Sequence, residues 1–251
     1  MDNNALDKFL APVGHLSGVH VEKLEGQTDF LDLAARFAHL PGTVVLLSGG
    51  NLDCARYHLL GAFPWLTISG RNHQSRFTVD GQTQAVNVRP FDALRAVLDR
   101  FRLPAGRWPL PLAAGLMGYL AYDLKDGLEK LPKTSVDDLH LPHMLLYAPS
   151  LLVVHDKKDN VSRLMIPCRT SGTTGTDEWV RRFHEMVAAP APSLAAYRSD
   201  ADALQSNFSQ EEYQQAVQRV IDYIAAGDVY QVNLSQRFRV PFHGDGFQLF
   251  R

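Results

Sequence analysis

Polar and apolar residues alternate most regularly near the end of this chain. From Tyr230 to Val240 the even positions Tyr230, Val232, Leu234, Phe238 and Val240 are apolar, while Gln231, Asn233, Ser235, Arg237 and Arg239 are polar. A period of two predicts a half-buried strand, entered after a helix that stops at Gly227. That helix is predicted to start at Ser209-Gln-Glu-Glu212, a capping box, and to bury Tyr213, Val217, Val220, Ile221 and Ile224. The strand's polar face carries amides and a hydroxyl, side chains suited to directed hydrogen bonds. Gln231, Asn233 and Ser235 are therefore candidates for the polar wall of an interior, against the plainer reading of an outer strand face.

Earlier in the chain, Thr28 or Asp29 caps a predicted helix whose stripe is Phe30, Leu33 and Phe37. Thr43–Leu47 reads as a compact buried strand, broken by Ser48-Gly-Gly-Asn51. Trp65–Ser69 is another strand, and Arg76–Val79 and Gln82–Val88 flank the hairpin signal Asp80-Gly81. Pro90 opens a helix with Phe91, Leu94, Leu98 and Phe101 on one face. In Leu112–Leu124 small and aromatic residues mix, as in a strand passing close to another backbone. Leu145–Asp156 and Val161–Pro167 read as paired strands, Thr170–Thr176 as a linker and Asp177–Val187 as an exposed helix. Hairpins and helices without regular βα alternation point to an α+β fold. The Ala/Pro/Ser-rich stretch sets expected boundaries: residues 1–190, a linker at 191–207, and 208–251.

Composition narrows the function classes. The 251 residues are 45% hydrophobic and 21% charged, enough apolar material for a sizeable core. A net charge of −2 without a basic run argues against a general nucleic-acid binder. Cys54 and Cys168 stand far apart and form no CxxC pair, which suggests reduced thiols. The acidic, polar amino terminus is unlike a signal peptide, and no apolar run would span a bilayer. A soluble cytoplasmic protein is expected. His140-x-x-His143 is read as two surface loop histidines and not a metal site, since Pro142 intervenes and no carboxylate or thiol completes a shell. Asp123 and Asp137-Asp138 are read as solvated acids.

Three segments carry a resemblance. Gly227–Phe238, with its Asn-Leu-Ser-Gln, closely resembles the start of the chorismate-binding region in the aminase component (component I) of aminodeoxychorismate synthase, and the related anthranilate synthase component I is similar there. Gly115-Leu-Met-Gly-Tyr-Leu-Ala-Tyr-Asp123 resembles the family's Gly-Tyr-x-x-Tyr-Asp segment, and Pro142-His143-Met144 its Pro-Asp-Met, with His143 in place of Asp. Tyr213–Phe238 matches the first helix and strand of the same region. The resemblance runs from about Thr43 onward and covers the family's amino-terminal half only.

It implies a layered α/β/β/α core with orthogonally packed sheets. It also implies amination of chorismate to 4-amino-4-deoxychorismate for para-aminobenzoate and folate synthesis, with Mg²⁺ and with ammonia from a glutamine amidotransferase subunit. The family's metal-binding glutamates and its Pro-Ile-Lys-Gly-Thr lysine have no counterpart here, so no catalytic residue is assigned and the isolated chain is expected to be inactive. By the same resemblance Ser48, Arg56 and Tyr57 correspond to an amino-acid pocket that takes tryptophan in some members, although Ala55 stands where a Ser is usual. An anthranilate synthase component, or a non-catalytic module that binds an amino acid or docks an amidotransferase, remain the alternatives.

Overall fold

The computed structural model describes residues 3–26, 29–50, 52–104, 106, 108, 112–132, 136–172 and 174–251. Thr28 and Asn51, named above as a cap and a turn residue, lie outside them. Two units are distinguished, Met1–Pro192 and Ser193–Arg251.

The first unit is built on an eight-stranded antiparallel sheet. Its strands are β1 (Leu16–Lys23), β2 (Val44–Leu46), β3 (Tyr57–Arg71), β4 (Gln74–Val79), β5 (Gln82–Val86), β6 (Met117–Leu120), β7 (Met144–Asp156) and β8 (Val161–Arg169). The spatial order is β1-β8-β7-β3-β4-β5, with β2 also on β3 and β6 also on β7. Among the described residues of this unit the α-helices are α1 (Asn3–Leu10), α2 (Phe30–Ala35), α3 (Pro90–Arg100) and α4 (Thr176–Ala188). Mixed helices around a curled antiparallel sheet make the fold α+β, as expected.

β3 and β7 form the spine, paired from Tyr57↔Asp156 to Gly70↔Met144 with a shift between Pro64 and Leu66. The sequence predicted only Trp65–Ser69 of β3. Its first half contains Gly61 and Pro64, residues poor in strands, and is held by the β7 ladder instead of by propensity. Phe63 takes φ 52° next to the irregularity, so the bulge lets the strand continue past the proline. The β4–β5 hairpin turns as predicted, with φ 46° at Asp80 and 82° at Gly81, the pair of positive angles that a two-residue turn needs. β7 and β8 pair as expected around a Lys157–Asn160 turn.

Packing follows from which side of the strands each residue takes. Leu66 and Ile68 of β3, Phe77 of β4, and Leu146 and Ala148 of β7 join Leu6 and Leu10 of α1 and Ala93 and Val97 of α3 in one core. Fully burying such side chains is worth roughly 1.5–3 kcal/mol each. Leu152, Val154, Met117 and Met165 form a second cluster. Phe30, Leu33 and Phe37 are buried as predicted, and Phe37 stacks on Phe183 of α4 at 5.9 Å between ring centroids. Asp29 caps α2, accepting from the amides of Leu31 at 2.8 Å and Asp32 at 3.1 Å.

Several expectations need correcting. β2 is not a buried strand: it pairs with β3 alone, and Leu46 and Leu47 are exposed. Of the expected α3 face, Phe101 is buried and Leu94 packs against the core, but Phe91 and Leu98 are exposed, and Pro90, Ala93 and Val97 are the buried residues of the helix. The strand expected in Leu112–Leu124 shortens to β6 and a 3₁₀ turn, Tyr122–Gly127. The close backbone approach expected there is present. Gly118 has φ 149°, and a Cβ on it would collide with the carbonyl oxygen of Leu145.

In the second unit, α5 (Gln210–Ala226) has the predicted capping box. Ser209 accepts from the Glu212 amide at 3.2 Å, and Glu212 accepts from the Ser209 amide at 2.8 Å. Gly227 ends α5 in the left-handed conformation with φ 80°. The predicted buried stripe does not form: Ala216 is the buried residue of α5, and Ile221, Tyr223 and Ile224 are exposed. Nor does the predicted strand, for residues 231–237 carry no regular structure. Only Phe238–Arg239 enters a ladder, with Gln205–Ser206, while Phe242–His243 pairs with Arg198–Ser199. Alternation supplies a strand's two faces but not the neighbour whose N–H and C=O groups would hold it extended.

Candidate functional site

A cavity of about 810 Å³ opens where the end of β2 meets β3, β7 and α2. Its wall includes Asp29, Phe30, Ser48, His58, His155 and Ser162. The arrangement follows from register. His58 of β3 lies directly opposite His155 of β7, and His155 lies opposite Ser162 of β8, so the three share one row across adjacent strands. The two imidazoles stack with centroids 5.8 Å apart and planes 11° from parallel, and the Phe30 ring closes on them at 5.2 Å and 6.0 Å.

Ser48 is fixed at three points. Its amide donates to His58 Nδ1 at 3.1 Å, its hydroxyl donates to the Tyr57 carbonyl at 2.7 Å, and its own carbonyl accepts from Lys157 Nζ at 2.9 Å. The hydroxyl oxygen keeps acceptor capacity for a ligand. His155 Nδ1 pairs with Ser162 Oγ at 2.9 Å. Burial holds both imidazoles below their ordinary range. For His58 the neighbouring His155 and Lys157 add to this and Asp29 opposes it. For His155 the carboxylates of Asp156 and Asp29 oppose it.

Of the three expected pocket residues, Ser48 lines this cavity, whereas Arg56 and Tyr57 are not among its lining residues. Arg56 is engaged elsewhere. Its Nε donates to Asp156 Oδ1 at 2.9 Å and its Nη2 to Asp156 Oδ2 at 2.6 Å, a forked pair, with Asp159 as a further partner at 3.3 Å. The Arg56 hydrogen bond holds the buried Asp156 carboxyl below the usual carboxylate range, and the pairing raises Arg56 in turn. Gln231, Asn233 and Ser235 are exposed, and Gln231 Nε2 reaches Asn233 Oδ1 at 3.5 Å.

His58 and His155 were not singled out from the sequence. Neither sits in a local motif, and only the β3–β7 register brings them together. His143, expected on a surface loop, is buried at 8% exposure, while His140 donates its amide to Asp137 at 2.9 Å. Asp137 is also paired with Arg71 and is held below the usual carboxylate range, first by the His140 amide. Among the described residues no group of three or more His, Cys, Asp or Glu side chains is arranged to hold a metal ion.

The chain is thus an antiparallel α+β body with an open cavity lined by polar and aromatic side chains. The family described as chorismate binding enzyme matches residues 55–251, and the chain belongs to it. It is 37% identical over 180 residues to anthranilate synthase component 1 of Thermus thermophilus, covering 70% of this chain and 37% of that protein. It is 30% identical over 222 residues to aminodeoxychorismate synthase component 1 of Escherichia coli, covering 86% of this chain and 46% of that protein. Anthranilate synthase component I from Streptococcus pneumoniae shares the fold, with a TM-score of 0.59 at 21% identity over 90% of this chain and 47% of that one. The chain thus spans less than half the length of these relatives. Among the described residues no helix is long and apolar enough to cross a membrane.

Proposed function

We propose that this chain supplies the amino-terminal part of a cytoplasmic aminase component that converts chorismate and ammonia to 4-amino-4-deoxychorismate. The observation that carries the proposal is the chorismate-binding match over residues 55–251. The wording Asn233-Leu-Ser-Gln236 favours the aminodeoxychorismate branch. Ammonia comes from a glutamine amidotransferase subunit. Mg²⁺ serves the complete enzyme. The described residues do not fit a resident metal, so no step in this chain is assigned to one. Gln231, Asn233 and Ser235 are assigned to a polar wall that the remainder of the enzyme closes. The Ser48 cavity is assigned to an amino acid such as tryptophan, with Ser48 accepting from the ligand ammonium.

A second reading has its own support. The 37% identity to an anthranilate synthase component exceeds the 30% to an aminodeoxychorismate synthase component, which favours anthranilate as product. One assay separates them. A full-length enzyme carrying this chain is incubated with chorismate, Mg²⁺ and ammonium. Aminodeoxychorismate without pyruvate release supports the first reading; anthranilate with pyruvate supports the second. The 251-residue chain alone is expected to give neither product.

A further inference from the structure

The contact between Ser48 and His58 has a consequence that depends on protonation. An imidazole nitrogen that accepts a hydrogen bond carries no proton. The Ser48 amide donating to Nδ1 at 3.1 Å therefore sets His58 as the neutral tautomer with its proton on Nε2. Adding a proton to that ring turns Nδ1 into a donor facing a donor. We propose that His58 is a proton-controlled latch on the cavity: neutral, it holds the Ser48 amide in the wall, and protonated, it releases that amide.

The surroundings support a latch. Ser48 lies just past β2, a three-residue edge strand, so few ladder bonds restrain it. Its hydroxyl bond to Tyr57 and the Lys157 bonds to the carbonyls of Ser48 and Gly50 remain after the His58 contact is lost, so release is local. The charged and titratable groups around His58 come from every neighbouring element. His155 and Lys157 of β7 and its end disfavour a proton on the ring, and Asp29 before α2 favours one. Lys23, at the end of β1, and Glu25, just beyond it, line the same cavity with opposite charges. Because the imidazoles of His58 and His155 are stacked, a charged His155 opposes a proton on His58.

This rests on reading the Ser48 cavity as an amino-acid pocket, so the test has two arms. In the first, the ligand-free 251-residue chain is followed by ¹⁵N NMR from pH 8 to pH 5. At pH 8 the His58 Nδ1 should show the shift of an unprotonated acceptor, and the Ser48 amide should move with the His58 titration at a midpoint below about 6.5. A protonated Nδ1 at pH 8, or a Ser48 amide that stays still while His58 titrates, overturns the latch. In the second arm, tryptophan affinity is measured by calorimetry at both pH values for wild type and for His58→Gln, whose amide oxygen accepts the Ser48 N–H without titrating. Wild type should weaken roughly 2- to 10-fold at pH 5, the range a single hydrogen bond carries, and His58→Gln should not. Equal pH slopes in the two proteins overturn the latch. Absence of tryptophan binding at every pH rejects the amino-acid reading instead, and the first arm then decides the latch alone.

Discussion

The sheet unit and the carboxy-terminal unit make opposite use of the same kind of sequence pattern. In β3 and β7, alternating apolar residues are buried on both sides of a ladder that runs the length of both strands. In residues 230–240 the alternation is cleaner, yet Tyr230 is 96% exposed and Val232, Phe238 and Val240 are exposed as well. Periodicity specifies which residues would share a face. Burial requires a second surface, which β3 finds in β7 and in α1 and α3. Within Ser193–Arg251 the described elements are α5, a five-residue helix, a three-residue 3₁₀ turn and four two-residue strands, too little apolar material to cover α5 and the segment after it.

The contrast is sharpest in paired truncations. Leu66→Ala, at a site with 0% exposure, should cost about 2–5 kcal/mol in urea unfolding, because it removes buried contacts and leaves a cavity. Ile221→Ala on α5, where half the residue is exposed, should stay within about 0.5 kcal/mol. Similar losses at the two sites would break the comparison.

Arg56→Ala leaves the buried Asp156 carboxylate without its forked partner and should lower the thermal midpoint clearly. Arg56→Ala combined with Asp156→Asn should recover part of the loss. The same pair gives an acid dependence. The folded Asp156 carboxyl is held below its unfolded value of about 3.9, so its stabilisation is present above that pH and is lost as pH falls through the folded value. His58 and His155, held below about 6.5, act with the same sign over a higher window, their contribution being present above 6.5 and lost as pH falls through their folded values. Thermal melts from pH 7 to pH 3 should therefore fall in two steps, and Arg56→Ala should weaken the lower one.

Gly118→Ala should destabilise by more than about 1 kcal/mol, since φ 149° and the Leu145 carbonyl leave no room for a methyl group. Ser209→Ala should cost about 1 kcal/mol locally, read as lost helicity of α5. Smallest is Leu234→Asp. From the periodic pattern it would place a carboxylate in a core. With no strand formed and Leu234 only half-buried, it should change the melt of the 251-residue chain little.

How much was legible follows the same division. Signals complete within a few residues were legible: the Asp80-Gly81 turn, a cap at Thr28 or Asp29 (Asp29 supplies it), the Ser209 capping box and the Gly227 stop. Each is satisfied by its own backbone neighbours. The β7–β8 hairpin also belongs to this set, because its two strands are adjacent in sequence. Features that depend on distant partners were not legible. The first half of β3 exists because β7 pairs with it, and the stacked histidines exist because of that register. The Tyr230–Val240 strand was overread because alternation does not reveal whether a neighbour is present. Arg56 was singled out by resemblance, but its partner Asp156 lies at the far end of β7 and has no local signature.

Amide hydrogen exchange on the 251-residue chain tests this account most directly. Leu60 and Leu152, buried in the β3–β7 spine, should exchange only through global unfolding. Amides of residues 231–236, which join no ladder, should exchange at nearly the rate of an unstructured peptide. Strong protection of residues 231–236, at a level near that of Leu60, would show that the strand forms after all and would contradict the account.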